Sequence, residues 1–109
     1  MDVLFSTIST DDILYLPTKI PYLPRIGEHV SVGSIESEVV DIEHFYGDTC
    51  YIYYAGDTAR KNGVESKWGV NCKIKTQIII RTIGTHSTED YVSSGGWEVD
   101  PEHITWYRM

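Results

Sequence analysis

Few side chains in this sequence are spaced for chemistry. The four histidines, His29, His44, His86 and His103, are scattered with no pair at the spacing that metal ligands take, and neither Cys50 nor Cys72 belongs to a C-x-x-C pair. A zinc site is not expected. Cys50 falls at an inward position of an apolar run, where a thiol is inert as a nucleophile. Without an export signal at the N-terminus, both cysteines read as small buried hydrophobes and not as a disulfide. The glycines form neither a phosphate-binding loop nor a dinucleotide fingerprint, and no strand-to-helix unit exists to carry one. Asp41 and Glu43 do share a strand face, about 7 Å apart by strand rise, and such a pair could divide acid and base work. No cleft is implied around them, so a solvated acidic stripe is the simpler reading. The residues therefore point to a non-enzymatic protein with no cofactor and no metal.

Charge is the more informative property. The net charge is -7, from 16 acidic and 9 basic side chains, and it is unevenly distributed. Residues 26–59 hold seven acids and no base, whereas residues 60–81 hold one acid and six bases. A generic nucleic-acid binder carries a net basic footprint, and this chain has the opposite sign. Direct contact through Arg60, Lys61, Lys67, Lys73 and Lys75 is thus the weaker reading. A protein partner is favoured.

The elements that must position these groups are short and extended. A chain of 109 residues with 41% apolar content and 12% aromatic content is one globular domain spanning 1–109. No run approaches the roughly 18 apolar residues of a membrane helix. The N-terminus lacks the basic region of a signal peptide, so a cytoplasmic location is expected. Residues 1–22 read as one or two strands leading into a proline-punctuated arm, because Pro17, Pro21 and Pro24 each fix φ and remove a donor. In residues 29–32, Val30 and Val32 alternate with His29 and Ser31, which predicts a short strand with one wet face.

Leu23-Pro24-Arg25-Ile26-Gly27-Glu28, followed by that strand and then a longer twisted hairpin, resembles small SH3-like β-barrel proteins encoded by bacteriophages and mobile elements. The resemblance covers about a third of the chain. It implies a fold and a genomic setting, and names no activity.

Residues 38–54 predict the hairpin itself. A three-residue loop at Gly47-Asp48-Thr49 sets Tyr46 opposite Cys50, His44 opposite Ile52 and Ile42 opposite Tyr54, and so keeps Glu43 out of the core, where an unpaired carboxylate costs several kcal/mol. Val40, Ile42, Ile52 and Tyr54 then face the interior, and Asp41, Glu43, Phe45, Tyr51 and Tyr53 form a second face of acids beside aromatics. Asn62-Gly63 marks an exposed turn. Residues 72–83 predict one strand with Ile78-Ile79-Ile80 buried on both sides. Ser87-Thr88-Glu89-Asp90 caps a short helical turn ending at Gly95, Asp100-Pro101-Glu102 resembles a helix start, and residues 97–109 dock back onto the sheet through Trp106 and Tyr107.

The fold expected is all-β and mainly antiparallel: a small SH3-like barrel or twisted sheet with at most two short helical turns near the C-terminus. The function expected is a phage or mobile-element inhibitor or regulator. It would present Glu36, Glu38, Asp41, Glu43, Phe45, Asp48, Tyr51 and Tyr53 to a host nuclease or other nucleic-acid-binding complex, the carboxylates imitating phosphates. The alternative is a structural subunit of a phage particle, in which Phe45, Tyr51 and Tyr53 join copies in a ring.

Overall fold

Two apolar stretches without alternation, Val3-Leu4-Phe5 and Ile78-Ile79-Ile80, mark the middle of the sheet. In the computed structural model, which describes residues 1–9, 12–46, 50–54, 71–97, 99 and 104–107, β1 (Asp2–Ile8) and β7 (Thr76–Thr82) lie side by side and parallel. Strands covered on both faces do not need a polar side, which is why their sequences read as continuous runs. Val3, Leu4, Phe5, Ile78 and Ile80 are all buried, whereas Ile79, expected to be buried with them, is only half-buried because β1 parts from β7 beside it.

Around this pair a five-stranded mixed sheet curls in the order β2, β1, β7, β4, β3, with β2 at Ile13–Lys19, β3 at His29–Val32 and β4 at Ile35–His44. A second, three-stranded sheet follows the order β6, β5, β8, with β5 at Cys50–Tyr54, β6 at Asn71–Ile74 and β8 at Ile104–Tyr107. One short helix, α1 (Thr88–Gly95), completes the described elements. The fold is a small, mostly β, barrel-like one.

The N-terminal segment is integrated more deeply than an arm. β1 and β2 form an antiparallel hairpin from Asp2 opposite Lys19 to Ile8 opposite Ile13, and β2 continues through Pro17, one of the prolines read as punctuating an arm. The ladder explains the tolerance. Met1 and Ile20 exchange both hydrogen bonds, at 2.7 and 3.0 Å, and Ser9 N–H donates to the Asp12 carbonyl at 2.8 Å. Since bonded and non-bonded pairs alternate, the Pro17 nitrogen points away from β1 and no ladder donor is lost.

β3 and β4 are joined by Gly33 and Ser34, at φ 56° and 66°. Positive φ at both central residues is the type I′ turn that matches strand twist. Ser34 is the only described non-glycine residue with positive φ, so Ser34→Gly should add about 0.5 kcal/mol and raise the thermal midpoint by a few degrees. Gly33→Ala should do the reverse by about 1 kcal/mol, and calorimetry checks both.

The expected hairpin between residues 38–46 and 50–54 does not form. β4 pairs with β3 and β7, while β5 pairs with β6 and β8. His44 lies opposite Thr76 and Ile42 opposite Ile78, while Ile52 lies opposite Lys73 and Thr105 and Tyr54 opposite Asn71. The chain runs on from β4 into β5 and returns through β6 into β7, so the single strand expected over 72–83 is divided at Lys75 between the two sheets. Phe45 N–H donates to the Lys75 carbonyl at 2.8 Å and carries the ladder one bond beyond β4. A local turn signal lost to a long-range return because the return sets β4 against the isoleucine run. The loop 47–49, the basic stretch 55–70 and the helix start expected at 100–102 lie outside the described residues.

Val3, Phe5, Leu14, Leu16, Val32, Ile35, Val39, Ile78 and Ile80 pack together, and Tyr91 and Trp97 fill the space against them. α1 is set by a capping box. The Ser87 hydroxyl accepts from Asp90 N–H at 3.2 Å, the Asp90 carboxylate accepts from Ser87 N–H at 3.0 Å, and Gly96 closes the C-terminus in the left-handed region. These bonds from Ser87, and then the nearby His86, hold the Asp90 carboxyl below its ordinary value. A depressed folded value means that its stabilisation is present above the unfolded carboxylate range and fades as pH falls through the folded one. Asp90→Asn should therefore weaken the start of α1 at neutral pH and flatten the acid limb of a stability profile, as read by urea titration across pH. Thr88 ties the helix to the first hairpin: its hydroxyl meets that of Ser9 at 2.8 Å and donates to the Asp12 carboxylate at 2.9 Å.

Candidate protein-docking face

Glu36 and Glu38 are even-numbered, Asp41 and Glu43 odd-numbered, and one regular strand cannot show all four on one face. β4 solves this with an extra residue. Ile35, Ser37 and Val39 are buried while Glu36 and Glu38 point the other way. Pairing with β7 then slips by one: Val39 lies opposite Ile80 and Asp41 opposite Ile79, leaving Val40 as a β-bulge. Beyond it the parity is reversed. Ile42 lies opposite buried Ile78 and packs against the core, while Asp41 and Glu43 stay outside. Val40, expected in the interior, is 38% exposed, and its neighbour Val39 is fully buried in its place. The adjacent valines in a strand that otherwise alternates are the trace of the bulge in the sequence.

The four carboxylates thus form one row along the outer face. Glu36, Asp41 and Glu43 are exposed and Glu38 is partly covered. Glu38 takes a salt bridge from Arg81 at 3.0 Å, directly across the ladder. Asp41 turns its Oδ1 back to accept from Ile42 N–H at 2.8 Å. β7 braces β4 from Ser37 to His44, and β3 braces it from Ile35 to Glu38.

The aromatic half of the expected face is elsewhere. Tyr51 and Tyr53 belong to β5, opposite Ile74 and Cys72 of β6 and opposite Trp106 and Ile104 of β8, so acids and tyrosines do not share one sheet face. Phe45 is half-buried where β4 leaves its sheet. Asp48 lies outside the described residues. His44 Nδ1 sits 3.2 Å from the Thr76 hydroxyl, and His86 packs edge-on against Tyr91. Among the described residues no three His, Cys, Asp or Glu side chains are grouped to hold a metal ion.

Sequence reasoning missed a cleft beside the acidic row. β1 and β7 are in register only from Leu4 opposite Gln77 to Ser6 opposite Ile79. Past that point β1 continues with β2 as far as Ile8, and β7 continues with β4 as far as Thr82, so the two central strands separate. The gap has a volume of about 450 Å³ and is walled by Thr7, Ile8, Val40, Ile79, Arg81 and Tyr91. Tyr91 is hydrogen-bonded through its hydroxyl to Thr82. Ile79 and Arg81, opposite Asp41 and Glu38, open on the face that carries the carboxylates.

No protein-family model, curated protein or solved structure matches this chain. Among the described residues no helix is long and apolar enough to cross a membrane.

Proposed function

We propose that this chain is a non-enzymatic protein-binding module that acts as an inhibitor or regulator by laying the carboxylate row of β4 in the basic groove of a nucleic-acid-binding protein. The observation that supports this reading is the bulge at Val40, which gathers Glu36, Glu38, Asp41 and Glu43 on one outward row. In a regular ladder that included Val40, two of the four would turn inward. Carboxylates two residues apart on a strand are spaced by about 7 Å, roughly half the linear charge density of one nucleic-acid strand. Such a row can meet every second cation of a groove lined with Lys and Arg at single-strand spacing. Because β4 is braced by its neighbours, little backbone order remains to be lost on docking.

The chain and its Glu36→Lys, Asp41→Lys, Glu43→Lys variant, immobilised side by side, should differ when challenged with a bacterial lysate. Wild type should retain a basic nucleic-acid-binding protein at about 50 mM salt and release it by about 200 mM, and added DNA should compete. A partner held equally by the variant, or indifferent to salt, would reject the reading.

A further inference from the structure

We propose that the cleft between β1 and β7 receives an apolar side chain of the same basic partner segment that lies along the carboxylate row. The inference rests on the reading of β4 above and adds the partner's second chemical requirement. Ile8, 74% exposed, and Val40, 38% exposed, line the cleft from opposite strands, and Ile13, 53% exposed, lies opposite Ile8 in the hairpin, so exposed aliphatic groups flank the opening. Isolated exposed aliphatics are ordinary; a set of them at the rim of a preformed cavity is a contact surface.

The cleft is built to keep its shape. It opens where two strands part while each stays bonded to its outer neighbour, and Tyr91 and Thr82 close its inner end with a hydroxyl pair. About 450 Å³ holds one or two side chains and is too small for a whole helix face.

Charge decides which occupant. The one Lys or Arg on the wall, Arg81, is already paired with Glu38, and the first turn of α1 is already occupied by its own capping box. His86, the other basic side chain on the wall, packs its ring edge-on against Tyr91, so among the described residues the wall offers an acidic ligand no unpaired Lys or Arg. Along the rim formed by β4, Glu36, Asp41 and Glu43 carry negative charge that no described basic side chain offsets. The occupant is therefore an apolar anchor flanked by Lys or Arg.

Two short oligolysine peptides of equal length and charge test this, one with a central Leu-Phe pair and one with Ser-Ser in its place. By fluorescence anisotropy the anchored peptide should bind at least about tenfold more tightly, as expected for burying one or two such side chains. Ile8→Ser with Val40→Ser should remove that advantage and leave the salt response unchanged. Deleting Val40 is a second route to the same result. The bulge residue is the extra one, so its loss leaves Asp41, Ile42 and Glu43 on their present faces while taking away a cleft wall.

Equal, salt-sensitive binding of both peptides would overturn the cleft proposal and leave the acidic-row reading standing. An anchor advantage that survives Glu36→Lys, Asp41→Lys, Glu43→Lys would support the cleft and overturn the row. Self-association that Ile8→Ser dissolves would assign the cleft to a second copy and overturn the proposal.

Discussion

Trp97→Ala is expected to bring the protein close to unfolding at room temperature, while Trp97→Phe is expected to leave it nearly intact. Trp97 is 1% exposed and sits among the core side chains, edge-on to Tyr91 with ring centroids 5.7 Å apart and planes at 83°. Emptying such a site costs about 3–5 kcal/mol, against a total stability of about 5–15 kcal/mol for a domain of this size. The indole changes the balance for phenylalanine. Among the described residues its Nε1–H is buried with no hydrogen-bond partner, and an unmet buried donor already costs about 1–3 kcal/mol. Trp97→Phe gives up some volume and relieves that cost, so its net effect should stay within about 1 kcal/mol of wild type. Urea unfolding followed by far-ultraviolet circular dichroism separates the two variants. Equal damage from both would show that the indole N–H has an acceptor after all.

The second large effect is electrostatic. Each carboxylate changed to lysine moves the charge by two, so Glu36→Lys, Asp41→Lys and Glu43→Lys together take the net charge from -7 to -1. Affinity for a lysine-rich ligand should fall by roughly two to three orders of magnitude, since attraction at three points becomes repulsion. Arg81→Ala should act in the opposite direction. It frees Glu38 from its partner, and an exposed pair worth about 0.2–1 kcal/mol corresponds to a gain of at most roughly fivefold. Folding stability should barely change in either case, because the groups are on the surface. Titration calorimetry at two salt concentrations reads both variants, and a tighter complex from the triple variant would remove the basis for the acidic row.

What could be read from the sequence was local. The alternation of Val30 and Val32, the Ser87 to Asp90 cap and the inward Ile78 and Ile80 each carry their signal within a few residues and are where the pattern puts them, whereas Ile79, expected buried with them, lines the cleft and is only half-buried. Long-range choices left no such mark. Val3-Leu4-Phe5 looks poorly phased because a strand enclosed on both faces loses its alternation, and nothing near it specifies residues 77–79 as its neighbours. The turn residues after Tyr46 suggested a return that the isoleucine run outcompetes. The candidate face was half visible: its acids could be named, but only the bulge, hinted at by Val39-Val40, shows how they come together. The cleft exists because two strands far apart in the chain diverge, and no periodicity encodes that.

The central parallel pair also governs how the molecule is made. Leu4 waits for Gln77, about seventy positions later, and at a synthesis rate of roughly 5–20 residues per second that interval is on the order of ten seconds. During it the nascent first hairpin holds out a strand apolar on both sides with one edge unoccupied, a template for any neighbouring chain on the ribosome. Slower refolding than a local meander of equal size, and better soluble yield when translation is cooled or a chaperone shields the emerging N-terminus, follow from placing the first strand at the middle of the sheet.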